Sequence, residues 1–414
     1  MPSRTTLLCL FLLASFRLAH SCAFHTDDHS SSNLRHPADL HTDKFALAKA
    51  NVDYRDANKN ETRAHVTTVI TDVAVFDGLS LSGPRTVVIK NGRISDQDPY
   101  AGDEPHKTVN GTGHTLLPGF IDSHFHPDTV AHLKEAARYG ITTGVVMSCP
   151  EPRLCASLQD HVGLPRLVLA STPGASADSI HGRGLGLNES TALGHNATEW
   201  VDKQVASGAD LIKLIAETPG LDQATLSAAT AAAHTRGLGV ACHATDYKSV
   251  QQALVAGVDQ VHHVPLDRAL DSSTIARFSA ISVPTLIMMR KTSEAIPALN
   301  FSASTASART LHEAGITIMA GTDANAGAFA PGHPAFGESM HDELELLVEA
   351  GLEPLQALRS ATKIPADVWG LHDRGGVEPG MVADLVLVQG DPLMNISVTR
   401  EIRKVWIGGH EFED

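Results

Sequence analysis

The chain has 414 residues, of which 43% are hydrophobic and 19% charged, and its formal net charge is −15. This length and composition are typical of a globular protein with one large domain and a smaller accessory unit. The negative charge argues against a nucleic acid or an anionic membrane surface as a partner.

The N-terminal end predicts export. The apolar run 7–16 follows Arg4, is too short to span a bilayer, and has the layout of a signal peptide that is cleaved before Cys22. A retained signal anchor is the alternative. We interpret residues 1–21 as the signal peptide and expect no membrane contact after cleavage. Residues 22–62 are polar, and we expect a poorly ordered or loosely docked arm.

Acceptor sequences and cysteines agree with a secreted protein. Asn-x-Ser/Thr triplets, which predict N-glycosylation, begin at Asn60, Asn110, Asn188, Asn196, Asn300 and Asn395. Export implies an oxidising compartment. Cys149 and Cys155 bracket a Pro-containing loop and are the best candidates for a disulfide, whereas Cys242 lies in an apolar run typical of a buried free thiol.

Both ends of the remaining chain are rich in strand patterns. Apolar β-branched runs occur at 67–70, 73–76 and 86–90, and again at 383–388 and 404–407. We therefore predict a small β-sandwich domain made of two parts, residues 63–116 and 373–414.

Residues 117–372 alternate between strand and helix patterns. Clear helical stretches lie at 222–236, 247–256 and 338–350. Candidate strands lie at 119–124, 141–147, 166–171, 210–216, 238–244, 259–264, 281–286 and 316–322. Eight strands with intervening helices predict an α/β fold of the (β/α)8 TIM barrel type. A doubly wound sheet is the alternative, although no Gly-rich phosphate turn follows an early strand.

Candidate metal ligands stand at predicted strand ends. Side chains of a strand alternate between faces, so His124 and His126 point the same way, toward the barrel mouth. Two imidazoles at one place suit a metal ion, and two unrelated surface histidines are the alternative. His243, the pair His262 and His263, and Asp323 end other predicted strands.

Lys213 is embedded in an apolar predicted strand. Buried lysines are rare unless they are paired or modified. One interpretation is a side chain that extends along the strand to reach solvent. The other is a lysine carbamylated by CO2, whose new carboxylate bridges two metal ions.

Five motifs carry a family resemblance, at 117–126, 320–324, 343–352, 357–362 and 379–386. Through them the chain resembles the metal-dependent amidohydrolase superfamily over roughly residues 66–409. Within that superfamily it resembles the imidazolonepropionase-like and prolidase-like cluster, which includes secreted ochratoxinase-type enzymes.

The resemblance implies a binuclear site. His124, His126 and Asp323 would hold one divalent ion, and His243 and His263 would hold the second. A carboxylated Lys213 would bridge the two ions. Zinc is the default for such ligands, with manganese or iron as alternatives.

Of the adjacent histidines, His263 is preferred as the ligand. The family has an acidic residue directly before the ligand histidine, and His262 stands at that acidic position. Only one of the two histidines can reach the barrel centre, because neighbouring residues of a strand face opposite ways.

The implied reaction is hydrolysis of an amide in a small molecule, of the dipeptide or N-acyl amino acid type and carboxypeptidase-like. Water shared by the two ions would attack, with Asp323 as the proton shuttle. A lactonase or ester hydrolase would use the same site. A mononuclear deaminase would need a glutamate where Asp246 stands, and a non-catalytic secreted binding protein would be expected to lose ligands.

The loops predicted to contact substrate depart from the family pattern. His181, Arg183 and Arg290 are candidates for binding a substrate carboxylate, with ordinary loop residues as the alternative. Homo-oligomerisation is left open by the sequence.

Overall fold

The computed structural model describes residues 37–58, 66–98, 106–194 and 196–413. The predicted signal peptide, Cys22 and Asn60 lie outside the described residues. Within the part of the chain that is described, no helix combines the length and the apolar character needed to cross a bilayer.

Sixteen strands occur in the described residues. In chain order they are β1 Thr67–Phe76, β2 Leu81–Lys90, β3 Arg93–Ser95, β4 His106–Asn110, β5 His114–Pro118, β6 Phe120–His126, β7 Ile141–Val146, β8 Arg166–Leu169, β9 Ile212–Ile215, β10 Val240–His243, β11 Gln260–His262, β12 Ile281–Val283, β13 Ala324–Asn325, β14 Leu385–Gln389, β15 Ile402–Ile407 and β16 His410–Glu411.

The α-helices described, also in chain order, are α1 Pro37–Asn58, α2 Val130–Arg138, α3 Pro152–Ser157, α4 Ile180–Gly184, α5 Ala197–Ala206, α6 Gln223–Thr235, α7 Tyr247–Ala256, α8 Ser272–Ile275, α9 Leu286–Ala295, α10 Phe301–Glu313, α11 Glu338–Glu349, α12 Pro354–Ser360 and α13 Lys363–Val368; a 3₁₀ turn spans Ile396–Arg400. The three predicted helices coincide with α6, α7 and α11.

Strands from both ends of the chain form one sheet. Its order is β16-β15-β14-β5-β1-β2-β3, and β4 pairs with β1. The two ends meet where β5 runs antiparallel to β14, with Leu117 opposite Val386. One face packs around the buried side chains of Ile70, Leu116 and Trp406. The predicted small β-sandwich made from both ends of the chain is, in the described residues, one eight-stranded sheet.

The middle of the chain contains two four-stranded parallel sheets, β13-β6-β7-β8 and β12-β11-β10-β9. Isolated bridges, among them Ala170 to Leu211 and Gly174 to Leu214, connect the region after β8 with β9. Parallel strands place their carboxyl ends on the same edge, and loop residues after these ends are free to build a site.

The predicted strand 316–322 is the exception. Its backbone pairs with several segments in turn, because Met319 N donates to Ser282 O and Ala320 N donates to Ser360 O. Only Ile318 forms a bridge there, to Ser282, and the regular strand β13 begins later, at Ala324. Extended backbone is thus present without one continuous ladder.

Helix α1 occupies the second half of the predicted polar arm. Its buried Asn51 donates to Asp128 O at 3.2 Å and to Ser157 Oγ at 3.1 Å, and accepts from Val130 N at 3.2 Å. A loosely docked arm does not describe residues 44–58, because one amide side chain satisfies three polar groups of the domain.

Replacing Asn51 with Ala removes these three bonds and leaves buried donors and acceptors without partners. We expect a loss of about 1–3 kcal/mol in the free energy of unfolding, measured by urea denaturation. The matched control is Asn58→Ala, because the bond that the Asn58 amide makes in the described part of the chain stays within the same helix, to Tyr54 O. Equal stability of the two variants would contradict docking through Asn51.

Candidate metal centre

The carboxyl ends of four parallel strands bring the predicted ligands together. His124 and His126 end β6, His243 ends β10, and His263 directly follows β11. Lys213 lies in β9 beside β10, opposite Ala241. Asp323 joins them because Asp323 N donates to His124 O at 2.6 Å, just before β13 pairs with β6.

Asp323 is the acidic member of the cluster. Its Oδ1 lies 2.9 Å from His126 Nε2 and 3.5 Å from His124 Nε2. His124, His263 and Asp323 each offer one ligand atom, and these three atoms lie within 4.8 Å of one another. The His243 ring is next to His263, with 4.6 Å between the ring centroids.

The grouping differs in one respect from the two predicted ligand sets. The set of three takes His124 and Asp323 from the first set and His263 from the second. All six predicted residues are nevertheless neighbours at one strand edge. Their roles as metal ligands stay predictions.

Lys213 is buried, with 3% of its surface exposed, and its Nζ has no hydrogen-bond partner among the described residues. This excludes a side chain that reaches solvent. Burial lowers the pKa of the Lys213 amine to about 8, although the charge of Asp323 acts in the other direction. An unpaired buried amine is costly, and a group that binds or modifies it would remove that cost.

The buried histidines of the cluster are uncharged at neutral pH. Burial lowers the pKa of His124, His243 and His262 well below the ordinary value, and it lowers that of His263 to about 3. Nearby Lys213 acts in the same direction. A neutral imidazole keeps the lone pair that a metal ion needs, so this donor set fits a divalent cation.

Asp323 remains a carboxylate. Burial opposes its ionisation, but the hydrogen bond from His126 and the basic groups around it, including Lys213, lower the Asp323 pKa below the ordinary value. An ionised carboxylate among neutral imidazoles completes a set of nitrogen and oxygen ligands typical of zinc sites.

Hydrogen bonds separate the roles of the two adjacent histidines. His262 uses both ring nitrogens, since Nδ1 lies 2.9 Å from His124 Nδ1 and Nε2 lies 3.1 Å from Gln260 Oε1. Among the described residues His263 has a hydrogen-bond partner at Nδ1 alone, Thr285 Oγ1 at 2.7 Å. Nε2 of His263 is therefore the available ligand atom, which supports the predicted preference for His263.

Backbone geometry around the cluster is unusual. His263, Thr285 and Asp323 have φ values of 72°, 46° and 55°. Non-glycine residues rarely adopt this left-handed region, at a cost of about 1–3 kcal/mol each, and such residues concentrate at functional sites. Gly321 also has a steric role, since an added Cβ would lie 3.0 Å from His124 Cβ.

Asp122 of β6 connects that strand to the segment before β13. It accepts from His124 N at 3.1 Å, from Thr322 N at 3.0 Å and from Thr322 Oγ1 at 2.6 Å. Burial raises its pKa to about 7, although these bonds act in the other direction. The contacts hold His124 and Asp323 in register from the side of the core.

The predicted substrate residues fall in three different places. His181 adjoins the cluster, with its ring centroid 4.3 Å from that of His243. Arg183 instead bonds to Asp178 O, and Arg290 lies 4.0 Å from Asp342 of α11. Only His181 is thus brought to the ligands.

Glu217 is a site residue that sequence reasoning missed. Its Oε1 accepts from His181 N at 3.0 Å and its Oε2 lies 2.9 Å from His181 Nδ1. Burial opposes ionisation of Glu217, but the bonds with His181 lower its pKa overall. The available signal was its position in the loop that follows β9, where the chain departs from the family pattern.

The predicted cysteine and asparagine sites also lie in the described residues, apart from Asn60. Cys149 and Cys155 form a disulfide with 5.9 Å between their Cα atoms, and Cys242 is a buried free thiol. Asn110, Asn188, Asn196, Asn300 and Asn395 are all exposed.

The model of the amidohydrolase family matches residues 115–411. The chain belongs to the amidohydrolase family. The predicted superfamily is thereby confirmed, and the match supports a hydrolase of carbon–nitrogen bonds. The first curated relatives that match are uncharacterised mycobacterial proteins, of which the chain spans 26% of the length.

Three known proteins illustrate the likeness. An imidazolonepropionase of Deinococcus deserti is 28% identical over 185 residues, 43% of each chain. A solved Xaa-Pro dipeptidase with bound methionine superposes with a TM-score of 0.70 at 22% identity, covering 84% of this chain and 100% of its own. The Aspergillus niger ochratoxinase gives 0.68 at 19% identity, covering 84% and 96%. At these identities the structures establish the fold alone.

Glu343 of α11 supports the centre from a distance. Its Oε2 accepts from Ile287 N at 2.8 Å, at the start of α9, directly after Thr285. Burial raises the pKa of Glu343 to about 8, although its hydrogen bonds with the backbone of Ile287 and Leu286 act in the other direction.

Glu343→Gln tests this burial. From pH 4.5 to 8 the folded protein keeps a proton on Glu343 that the unfolded chain loses, so the contribution of Glu343 to wild-type stability falls as pH rises through this window. Because Gln does not titrate, we expect the stability of the variant relative to wild type to rise from pH 5 to pH 8.5, by up to about 5 kcal/mol. Urea denaturation at several pH values measures the difference.

Glu345→Gln is the matched control on the same helix. Glu345 accepts a hydrogen bond from Arg400. Burial acts to raise the pKa of Glu345, but the bond and the charge of Arg400 lower it overall. That variant should gain no relative stability as pH rises. A flat pH profile for Glu343→Gln would show that the buried carboxyl is ionised throughout.

Proposed function

We propose that the chain is a secreted, binuclear metal-dependent amidohydrolase that cleaves an amide in a small carboxylate-bearing molecule, of the dipeptide or N-acyl amino acid type. One observation carries the proposal. The Lys213 amine is buried without a hydrogen-bond partner beside histidines and a carboxylate that have suitable ligand atoms.

We infer that the parallel strands close into a (β/α)8 barrel. The two parallel sheets are linked by bridges after β8, and the segment 316–322 exchanges backbone bonds with both β12 and β6. In such barrels the carboxyl ends of the strands form one rim that carries the chemistry, and this is where the six predicted ligands lie.

The proposed ligands are His124, His126 and Asp323 for one ion and His243 and His263 for the other. Zinc is the ion that such nitrogen and oxygen ligands prefer. Lys213 would bridge them after reaction with CO2. Its neutral nitrogen forms a bond to the carbon of CO2 and releases one proton, giving a carbamate. A pKa near 8 supports this step, because an appreciable share of the amine is unprotonated at neutral pH.

Bound divalent ions would supply a water molecule of lowered pKa and polarise the scissile carbonyl. Asp323 is placed to take a proton from that water and to deliver it to the leaving nitrogen. The carbonyl carbon gains a C–O bond and loses its C–N bond, so the products are a carboxylic acid and an amine.

His181 and its surroundings support an amide with an acidic or apolar part. Glu217 holds the His181 ring beside His243, leaving Nε2 for a substrate oxygen. Phe329 lies 6.1 Å from the His181 ring, and Phe329 and Ile180 are 47% and 46% exposed. Such exposed apolar side chains near ligands favour contact with an apolar substrate group.

The alternatives differ in their support. Ester or lactone hydrolysis would use the same residues and is distinguished only by assay. A deaminase is disfavoured because Asp246 caps α7, accepting from Ser249 N at 3.0 Å, and is therefore committed to the helix end.

Metal analysis and two variants test the proposal. Protein prepared with bicarbonate should bind about two transition ions per chain. Lys213→Ala should lose metal and activity, whereas Lys203→Ala, an exposed control that pairs with Glu199, should keep both. Asp323→Asn should retain metal yet lose at least about 100-fold in turnover, as expected on removal of a general acid–base.

Turnover is measured on N-acyl amino acids, dipeptides and lactones. Wild-type protein with one bound metal ion or none would refute the binuclear centre and its bridging lysine. Undiminished turnover of Asp323→Asn would refute the role of Asp323 as proton carrier, and activity on lactones alone would favour the ester hydrolase.

Secretion is supported by the surface placement of the acceptor asparagines. In each described case the Oδ1 accepts a backbone N–H two or three residues further on, as Asn188 does from Ser190 N and Asn300 from Ser302 N. A glycan attached to Nδ2 would extend into solvent from these positions.

Protein secreted by a eukaryotic host should therefore lose mass when N-glycans are removed enzymatically. Each single Thr→Ala or Ser→Ala change at the third position of a triplet should reduce that shift by the mass of one glycan. An unchanged mass for the secreted wild-type chain would contradict glycosylation.

A further inference from the structure

We propose that His262 is a positioning residue that fixes the tautomer of His124 and thereby presents His124 Nε2 to the metal. The inference rests on the proposed function, because it concerns a ligand of the proposed centre. It assigns a role to the histidine that stands where the family has an acidic residue.

Three buried side chains form a continuous chain of hydrogen bonds. His262 is fully buried, and His124 and Gln260 are 2% and 5% exposed. The Nδ1 atoms of His124 and His262 are 2.9 Å apart, and His262 Nε2 is 3.1 Å from Gln260 Oε1. Water does not compete for these bonds, since their atoms lie in the interior.

Donors and acceptors along these hydrogen bonds can be arranged in two ways. In one, the Gln260 amide oxygen accepts from His262 Nε2–H, so His262 Nδ1 is bare and accepts from His124 Nδ1–H. In the other, the reversed amide donates to His262, which then donates to His124 Nδ1, so the neutral His124 carries its proton on Nε2. Only the first arrangement leaves a lone pair on His124 Nε2.

His124 Nε2 is the nitrogen that faces the ligand cluster. It lies 3.5 Å from Asp323 Oδ1, whereas Nδ1 is turned toward His262. The amide oxygen of Gln260 therefore sets, through His262, which nitrogen of His124 is free. Second partners of metal-bound histidines commonly act in this way and fix ring orientation as well as tautomer.

A neutral acceptor has a different electrostatic effect from a carboxylate. A carboxylate at position 262 would place a negative charge on His124 Nδ1–H and make Nε2 a stronger donor. His262 orients the ring without adding charge. The centre is thus left more positive by one unit, and a substitution that restores the acid should tighten metal binding.

Three variants of the full-length chain test the inference, with zinc affinity measured by competition against a chelator. His262→Leu removes the acceptor and should weaken binding of one ion by about 10–100-fold. His262→Glu keeps an acceptor and should bind at least as tightly as wild type. His341→Leu is the control, since His341 is equally buried but bonds to Thr399 outside the cluster.

The Leu and Glu variants separate orientation from packing, because both change the shape of the side chain but only one retains an acceptor. Equal affinity of wild type and His262→Leu would overturn the inference, as would an equal loss in both His262 variants. Should His262→Leu fail to fold, Gln260→Leu against Gln260→Glu makes the same comparison one bond further away, with loss of affinity expected only for Leu.

The outcome for the proposed function is read from wild type alone. Two bound ions in wild type together with unweakened His262→Leu would refute only the role of His262. Absence of bound metal in wild type would refute the binuclear centre, and the inference with it.

Discussion

Burying several imidazoles, an amine and a carboxylate at one strand edge requires a partner for each polar atom. The described residues provide partners for nearly all of them. Asp323 bonds to His126, His263 bonds to Thr285, and His262 is bonded at both ring nitrogens. Lys213 Nζ is buried with no hydrogen-bond partner among the described residues, which costs free energy. A modification or ligand that satisfies the Lys213 amine would remove this cost.

The bonds behind the cluster hold its geometry from several directions. Asp122 joins the end of β6 to Thr322, and Thr285 joins His263 to the start of α9, which Glu343 caps. These contacts are short and buried, so they can sustain the left-handed backbone of His263 and Asp323. The ligand atoms are thus positioned by the core of the domain and depend little on the exposed loops.

Most of the parallel strands and the ligand positions could be predicted from the sequence, because the alternation of side chains and the apolar runs are local properties. The spacing of His124 and His126 gives their common face, and apolar runs locate seven of the eight parallel strands. Residues 316–322 were harder, since their backbone bonds go to distant segments that no local pattern reveals. Helix α1 was missed for a similar reason, because Asn51 is stabilised by contacts with residues 77 to 106 positions away.

Partners of individual side chains were also beyond prediction. A histidine next to a ligand histidine reads the same in the sequence whether it binds metal or another ring, and only the 2.9 Å contact with His124 distinguishes the two. Arg290 has the charge to bind a carboxylate, yet the nearby carboxylate is Asp342 of the protein itself. Charge and periodicity indicate what a residue can do, while its neighbours depend on which elements pack together.

The proposed centre also has a charge balance that bears on its substrate. With Lys213 carboxylated and Asp323 ionised, two negative charges face two divalent cations, and the neutral side chains of His262, Gln260 and Thr285 add none. Glu217 is already engaged by His181. A net positive centre with an available imidazole favours a substrate that carries a carboxylate near its amide. The neutral residue at position 262 adds no negative charge behind His124, which would leave the attraction for an anionic substrate undiminished.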